Sequence, residues 1–87
     1  MDINKIPKIK GLLKKEYVFA DFALDHINSK MKNYEKRYSM SWKKFIYEFE
    51  KGNLGDDRAF FRWYGLAKSA IDWHDTKKEI QDTLRNT

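Results

Sequence analysis

Two histidines stand beside aspartates, as Asp25-His26 and His74-Asp75. On antiparallel helices these four side chains could face one another, and a His–Asp–His–Asp cluster is a donor set for a divalent transition metal. Isolated helical histidines lie more often at a surface or an edge, so no metal and no other cofactor is expected. The carboxylate pairs Glu48/Glu50 and Asp56/Asp57 suit a solvated face and a helix cap better than acid–base work. The sequence holds no Gly-rich phosphate loop, no nucleophile with a nearby base and no Arg-x-x-x-x-His spacing. An enzyme is not expected.

Charge is the second kind of chemistry, and it is uneven. Residues 1–44 carry eleven Lys/Arg against five Asp/Glu, and residues 45–87 carry seven against eight. Such asymmetry suits an acidic partner, either nucleic acid or an acidic protein surface. Lys5, Lys8, Lys10, Lys14 and Lys15 are the candidates for phosphate contacts. Lysine outnumbers arginine by fourteen to four, however, and base-specific reading leans on arginine forks. An AT-rich genome would enrich lysine with no functional meaning. Neither a helix-turn-helix nor a zinc pattern is present.

Large aromatics are the third. Eleven of the fourteen fall between Tyr34 and Trp73. Phe61, Tyr64, Trp73, Tyr17 and Phe22 are the candidate anchors for a protein partner, with the plain alternative that such residues are core. The chain has 87 residues and no cysteine, so a single domain must hold without disulfides or a thiolate metal site. No apolar run approaches the roughly 18 residues of a membrane span. Lysines interrupt the N-terminus and leave it without the apolar centre of a signal peptide. A cytoplasmic protein with no membrane contact is the expectation.

The elements that position these residues are helices. Residues 1–11 read as a basic arm, because Pro7 interrupts a helix and Gly11 separates the arm from the helical pattern beyond it. The arm is either a frayed terminus or a segment that orders on a partner. Leu13, Tyr17, Ala20, Leu24, Ile27, Met31, Tyr34 and Tyr38 then alternate by four and three, which makes one seam along a helix. A helix of about 26 residues would run roughly 39 Å. Ser41 is an N-cap for a short helix over 42–51 whose face is Trp42, Phe45, Ile46 and Phe49. Met40 and Phe45 fit a hydrophobic staple, but Lys44 stands where a capping box needs an acceptor. Gly52 occupies the left-handed position after the helix.

Asp56 or Asp57 caps a third helix, in which Ala59, Trp63, Leu66, Ala70, Trp73, Ile80 and Leu84 repeat the alternation, with Lys77 in the one polar slot. Phe60, Tyr64, Ala67, Ile71 and His74 form an adjacent stripe. Gly65, Ala67, Ser69 and Ala70 suggest a close approach by another helix. Two long helices joined through a short one must run antiparallel. The expected fold is all-α, an antiparallel long–short–long helical hairpin over residues 12–87. Its aromatic head holds Tyr34, Tyr38, Trp42, Phe45, Phe49, Phe60 and Trp63. The far end of the stem, at Leu13, Tyr17, Ile80 and Leu84, would need a second copy or a partner chain to cover it.

The run KMKNYEKRYSMSWKKFIYEFEKGNLGDDRAFFRWYGL resembles a family of small helical proteins in archaea and bacteria. The family pattern is an acidic-aromatic helix, a Tyr-Gly-Met-Ser turn, a Phe-rich short helix and an Asp-Asp pair ahead of a tryptophan. The matching positions are Tyr34, Tyr38, Met40, Ser41, Phe45, Asp56, Asp57, Phe61 and Trp63. Such proteins are often encoded beside toxin genes. The resemblance therefore implies an antitoxin-like component that binds and neutralises a cognate toxin-like protein. It covers about residues 28–75 and leaves the basic arm unmatched. Ser39 replaces the usual turn glycine, and this chain is more basic than its acid-rich relatives, so neutralisation by charge mimicry is not implied. The second reading is a small basic nucleic-acid-binding protein that uses the N-terminal lysines.

Overall fold

The computed structural model describes residues 6–86, with side chains from Pro7 onward. It contains three helices, α1 (Ile6–Tyr38), α2 (Trp42–Glu50) and α3 (Arg58–Arg85), and no strand among the described residues. Helices α1 and α3 pack along one another and α2 packs against α3. Ring contacts of Tyr38 with Phe60, Tyr34 with Trp63 and Phe19 with Trp73 descend α1 as they ascend α3. The two long helices are therefore antiparallel.

α1 is longer than its periodicity implied. Its 33 residues span roughly 50 Å at 1.5 Å per residue. The helix starts at Ile6 and runs through Pro7 and Gly11. Pro7 falls in the first turn, where the missing N–H would have no intrahelical partner and the fixed φ suits a helix. Residues 6–11 thus prolong α1. The rest of the expected arm, Lys5 included, lies outside the described residues.

The turn from α1 to α2 is built from named backbone groups. The Met40 N–H donates to the Glu35 carbonyl at 3.2 Å, the six-to-one bond of a Schellman end. Ser39 then takes a positive φ of 51°, the conformation that glycine adopts without cost. Ser41 caps α2 by accepting the Lys44 N–H at 3.2 Å. A different free donor of this helix start is met from the preceding helix, where the Glu35 carboxylate accepts the Trp42 N–H at 2.9 Å. Ser39→Gly should stabilise the fold by about 0.5–1 kcal/mol, since relief of the left-handed strain exceeds the entropy that glycine adds to the unfolded chain. Paired thermal melts of the two proteins would show it as a Tm higher by a few degrees.

α2 ends in a second Schellman motif. The Asn53 and Gly52 N–H groups donate to the Glu48 and Phe49 carbonyls, each at 3.0 Å, and Gly52 has a φ of 76°. The Asn53 amide also donates to the Glu48 carboxylate at 2.8 Å. Of the two aspartates ahead of α3, Asp57 is the cap and accepts the Ala59 N–H at 2.9 Å.

Burial tracks the two seams. Ala20, Leu24, Ile27 and Met31 of α1 are buried, with Phe45 and Ile46 of α2 and Trp63, Ala67, Ala70 and Ile80 of α3. Trp63 is the centre of the head. Phe45 stacks on it at 3.9 Å and 9°, and Tyr34 and Tyr38 stack at 5.7 and 5.9 Å. The indole N–H of Trp63 and the hydroxyl of Tyr38 are buried with no hydrogen-bond partner among the described residues.

The small residues divide. Ala67 and Ala70 are fully buried, which lets α1 and α3 approach closely. Gly65 and Ser69 are exposed, and a Cβ built on Gly65 would meet nothing within 4 Å. The expected close approach at Gly65 is therefore absent. In 100° steps Gly65 lies near the back of the helix relative to Trp63, Ala67 and Ala70. The far end of the stem also closes better than expected. Ile80 is buried, Leu13, Tyr17 and Leu84 are half-buried, and the Gln81 amide donates to the Tyr17 hydroxyl at 2.9 Å.

Candidate binding surfaces

The histidines and carboxylates singled out by the sequence do not gather into a metal-holding cluster among the described residues. His26 and His74 are both exposed. His26 lies two turns along the face of Phe19, whereas His74 is turned about 100° from Trp73, so the imidazoles leave the hairpin on different sides. No group of three His, Cys, Asp or Glu side chains among the described residues could hold a metal ion. The paired carboxylates have structural work: Glu48 accepts from Asn53, Glu50 accepts from Tyr64 and Asp57 caps α3. Lys77 donates to Asp21 across the stem and stands over the Tyr17 ring at 5.0 Å. The hydrogen bond to the Asp21 carboxylate holds the Lys77 ammonium above the usual lysine range.

The five candidate protein anchors fall on three surfaces. Phe61 and Tyr64 lie in the head beside α2. Phe61 is 56 % exposed and meets Phe49 edge-on at 5.4 Å. Tyr64 is half-buried and stacks on Phe49 at 4.8 Å. Its hydroxyl donates to Glu50 at 2.8 Å, and that bond to a carboxylate raises the phenol above its ordinary pKa. Trp73 and Phe22 belong to one side of the stem. Phe19 covers Trp73 edge-on at 5.4 Å, while Phe22 remains 71 % exposed. Tyr17 is turned to the opposite side, toward Lys77 and Gln81, and works within the hairpin.

Lys8, Lys14 and Lys15 are exposed on α1 and Lys10 is partly covered. At 100° per residue they spread over about 160° of the helix, which is a solvated half-cylinder and no single stripe. A better-defined basic feature lies higher up. Lys30, Asn33, Tyr34 and Arg37 of α1 and Leu66 of α3 line an open cleft of about 380 Å³. The sequence signal for it was the spacing of Lys30, Asn33 and Arg37 by three and four along one face.

Among the described residues seven large apolar side chains are exposed: Ile9, Leu12, Val18, Phe19, Phe22, Tyr47 and Phe61. Five of them fall in the first half of α1. By sequence Val18, Phe19 and Phe22 widen or flank the seam, and the structure leaves all three exposed beside it.

The fold and its surfaces define an all-α, three-helix hairpin in which no described helix is long and apolar enough to cross a membrane. The chain matches no known family model, no curated protein and no solved structure.

Proposed function

We propose that this protein is a non-enzymatic protein-binding module, the antitoxin-like component of a toxin–antitoxin pair, completed by association along its stem. The observation that carries the binding reading is the ordered aromatic edge of the head. Phe61 is mostly in water, yet Phe49 and the first turns of α3 fix it in place, and Tyr64 is held beside it by Glu50. Rigid, exposed aromatics of this kind lose little entropy on docking and are the usual anchors of an interface. The identity of the partner as a toxin-like protein rests on the resemblance of residues 28–75. The stem reading rests on the exposed apolar side chains of α1.

Nucleic-acid binding through Lys8, Lys14 and Lys15 has less support. Those lysines form no groove-shaped array, and four acidic side chains, Asp72, Asp75, Glu79 and Asp82, line the exposed back of α3 in the same stem.

The test is co-purification with tagged products of the reading frames that flank the gene. Wild-type protein should retain one of them. Phe61→Ala should melt within about 1 kcal/mol of wild type, as expected for a half-exposed side chain, and lose that partner at least about tenfold in affinity, the loss of a typical anchor. Unchanged affinity in Phe61→Ala would remove the head from the interface. Absence of any captured flanking product would remove the toxin-partner reading.

A further inference from the structure

Positive charge gathers at the head end of the two long helices. Residues 28–41 hold Lys30, Lys32, Lys36 and Arg37 against one acidic residue, Glu35, and residues 58–71 hold Arg58, Arg62 and Lys68 against none. Glu35 does not offset the cleft between these helices. Its carboxylate accepts the Trp42 N–H, and it stands about 160° around α1 from both Asn33 and Arg37. The Phe61 edge makes no use of this charge either, because Phe61 and Leu66 are about 140° apart around α3.

The cleft of about 380 Å³ lined by Lys30, Asn33, Tyr34, Arg37 and Leu66 gives part of that charge a shaped site. Its volume falls at the lower end of the range for small-molecule sites. Lys30, Asn33, Tyr34 and Arg37 lie within about 100° of one another on α1. Tyr34 and Leu66 are half-buried, whereas Lys30, Asn33 and Arg37 are exposed. Lys30 and Arg37 stand about 10 Å apart along the helix with Asn33 and Tyr34 midway, so a group above those two is about 5 Å along the axis from either cation. The ring contacts Tyr38–Phe60 and Tyr34–Trp63 put the exposed Arg62 of α3 level with residues 34–38. It is turned only about 40° from Leu66 and borders the cleft. Among the described residues Lys30 and Arg37 have no carboxylate partner, and the Arg37 guanidinium rests 5.4 Å from the Tyr38 ring centroid.

The chemistry of this lining is donor-rich. The Lys30 and Arg37 heads only donate, and the Asn33 amide and Tyr34 hydroxyl can donate as well. Donors that reach one point from both ends suit a phosphoryl group, with its three charged oxygens, better than the two oxygens of a carboxylate. Arginine's planar fork can take two of those oxygens at once. The Tyr34 ring and Leu66 leave an apolar wall for the organic part of such a ligand.

We propose that this cleft binds a small phosphate monoester. Lys30 and Arg37 hold the phosphoryl oxygens from two ends, Asn33 supports them from between, and Arg62 adds its field from α3. Tyr34 and Leu66 carry the organic group. The site is separate from the Phe61 edge and from the exposed apolar side chains of the stem.

An amide-resolved NMR titration of the full chain at low salt, with adenosine monophosphate as the ligand, tests it. Shift changes should saturate and centre on residues 30–37 and 62–66. Inorganic phosphate should displace the nucleotide, while adenosine and acetate at matched ionic strength should produce no saturable change there. Lys30→Gln and Arg37→Gln should each weaken binding at least about threefold, as the loss of one charge-assisted contact at an exposed site requires. Their helical circular dichroism should be unchanged, because both side chains are exposed. Lys78→Gln, exposed on the far part of α3, should bind as wild type does. Acetate acting as well as the monophosphate, or an equal loss in Lys78→Gln, would reduce the cleft to unspecific positive charge and overturn the proposal. So would an oligodeoxynucleotide that binds at these residues when the monophosphate does not, since the occupant would then be a polymer backbone.

Discussion

Trp63→Ala is expected to abolish cooperative folding near physiological temperature. The indole is fully buried and touches aromatic rings from two other helices, Tyr34 and Tyr38 of α1 and Phe45 of α2, with Phe60 of α3 joined through Phe45. Removing such a side chain costs about 3–5 kcal/mol through lost burial and the cavity left behind. A domain of 87 residues holds roughly 4–13 kcal/mol in total, and this elongated one belongs toward the low end. Urea titration followed by circular dichroism should show the transition shifted close to zero denaturant. Trp63→Phe separates packing from polarity. It retains most of the stack and removes the indole N–H, which is buried without a partner and whose desolvation costs about 1–3 kcal/mol. Its loss should therefore be well below that of alanine. Equal losses in the two variants would mean that the ring stack, and not the burial of the site, is dispensable.

The hairpin is legible because its apolar spacing is regular. Each member of the expected α1 seam from Leu13 to Tyr38 is buried or half-buried, and the four–three alternation specifies this face with no knowledge of the partner helix. The caps are legible because Ser41, Gly52 and Asp57 have side-chain or backbone properties that suit only certain positions. Interactions between elements distant in sequence, and matters of degree, are not. The carboxylate that binds the Trp42 N–H comes from Glu35, seven residues earlier, and no local capping pattern contains that spacing. Pro7 resembles a break by residue type alone, yet its first-turn position makes it a compatible start. Either Phe19 or Phe22 could cover Trp73 by spacing; Phe19 does and Phe22 stays in water, a choice set by about 60° of helix rotation. Binding surfaces are the least legible part. Phe49, Phe61 and Tyr64 form one edge and Phe22 belongs to another, and composition alone pools them.

Ala70→Leu should be destabilising by about 1–3 kcal/mol, the range for added volume in a packed interior, and Gly65→Ala stabilising by about 1 kcal/mol, the helix-propensity difference. The opposite signs come from where the residues face. Ala70 is fully buried among Leu24, Ile27 and Ala67 in the core cluster, so three added carbons must push α1 away from α3. That displacement would extend down the stem, where the Phe19–Trp73 edge contact and the Lys77–Asp21 pair depend on the same separation. Gly65, five residues earlier on the same helix, has open space where its Cβ would stand. An alanine there removes unfolded-chain entropy and meets no neighbour. Paired denaturant titrations would give both signs in one experiment. A stabilised Ala70→Leu would mean that the stem is more loosely packed than its buried alanines indicate. A destabilised Gly65→Ala, measured where the protein is self-associated, would instead place a second chain against the back of α3.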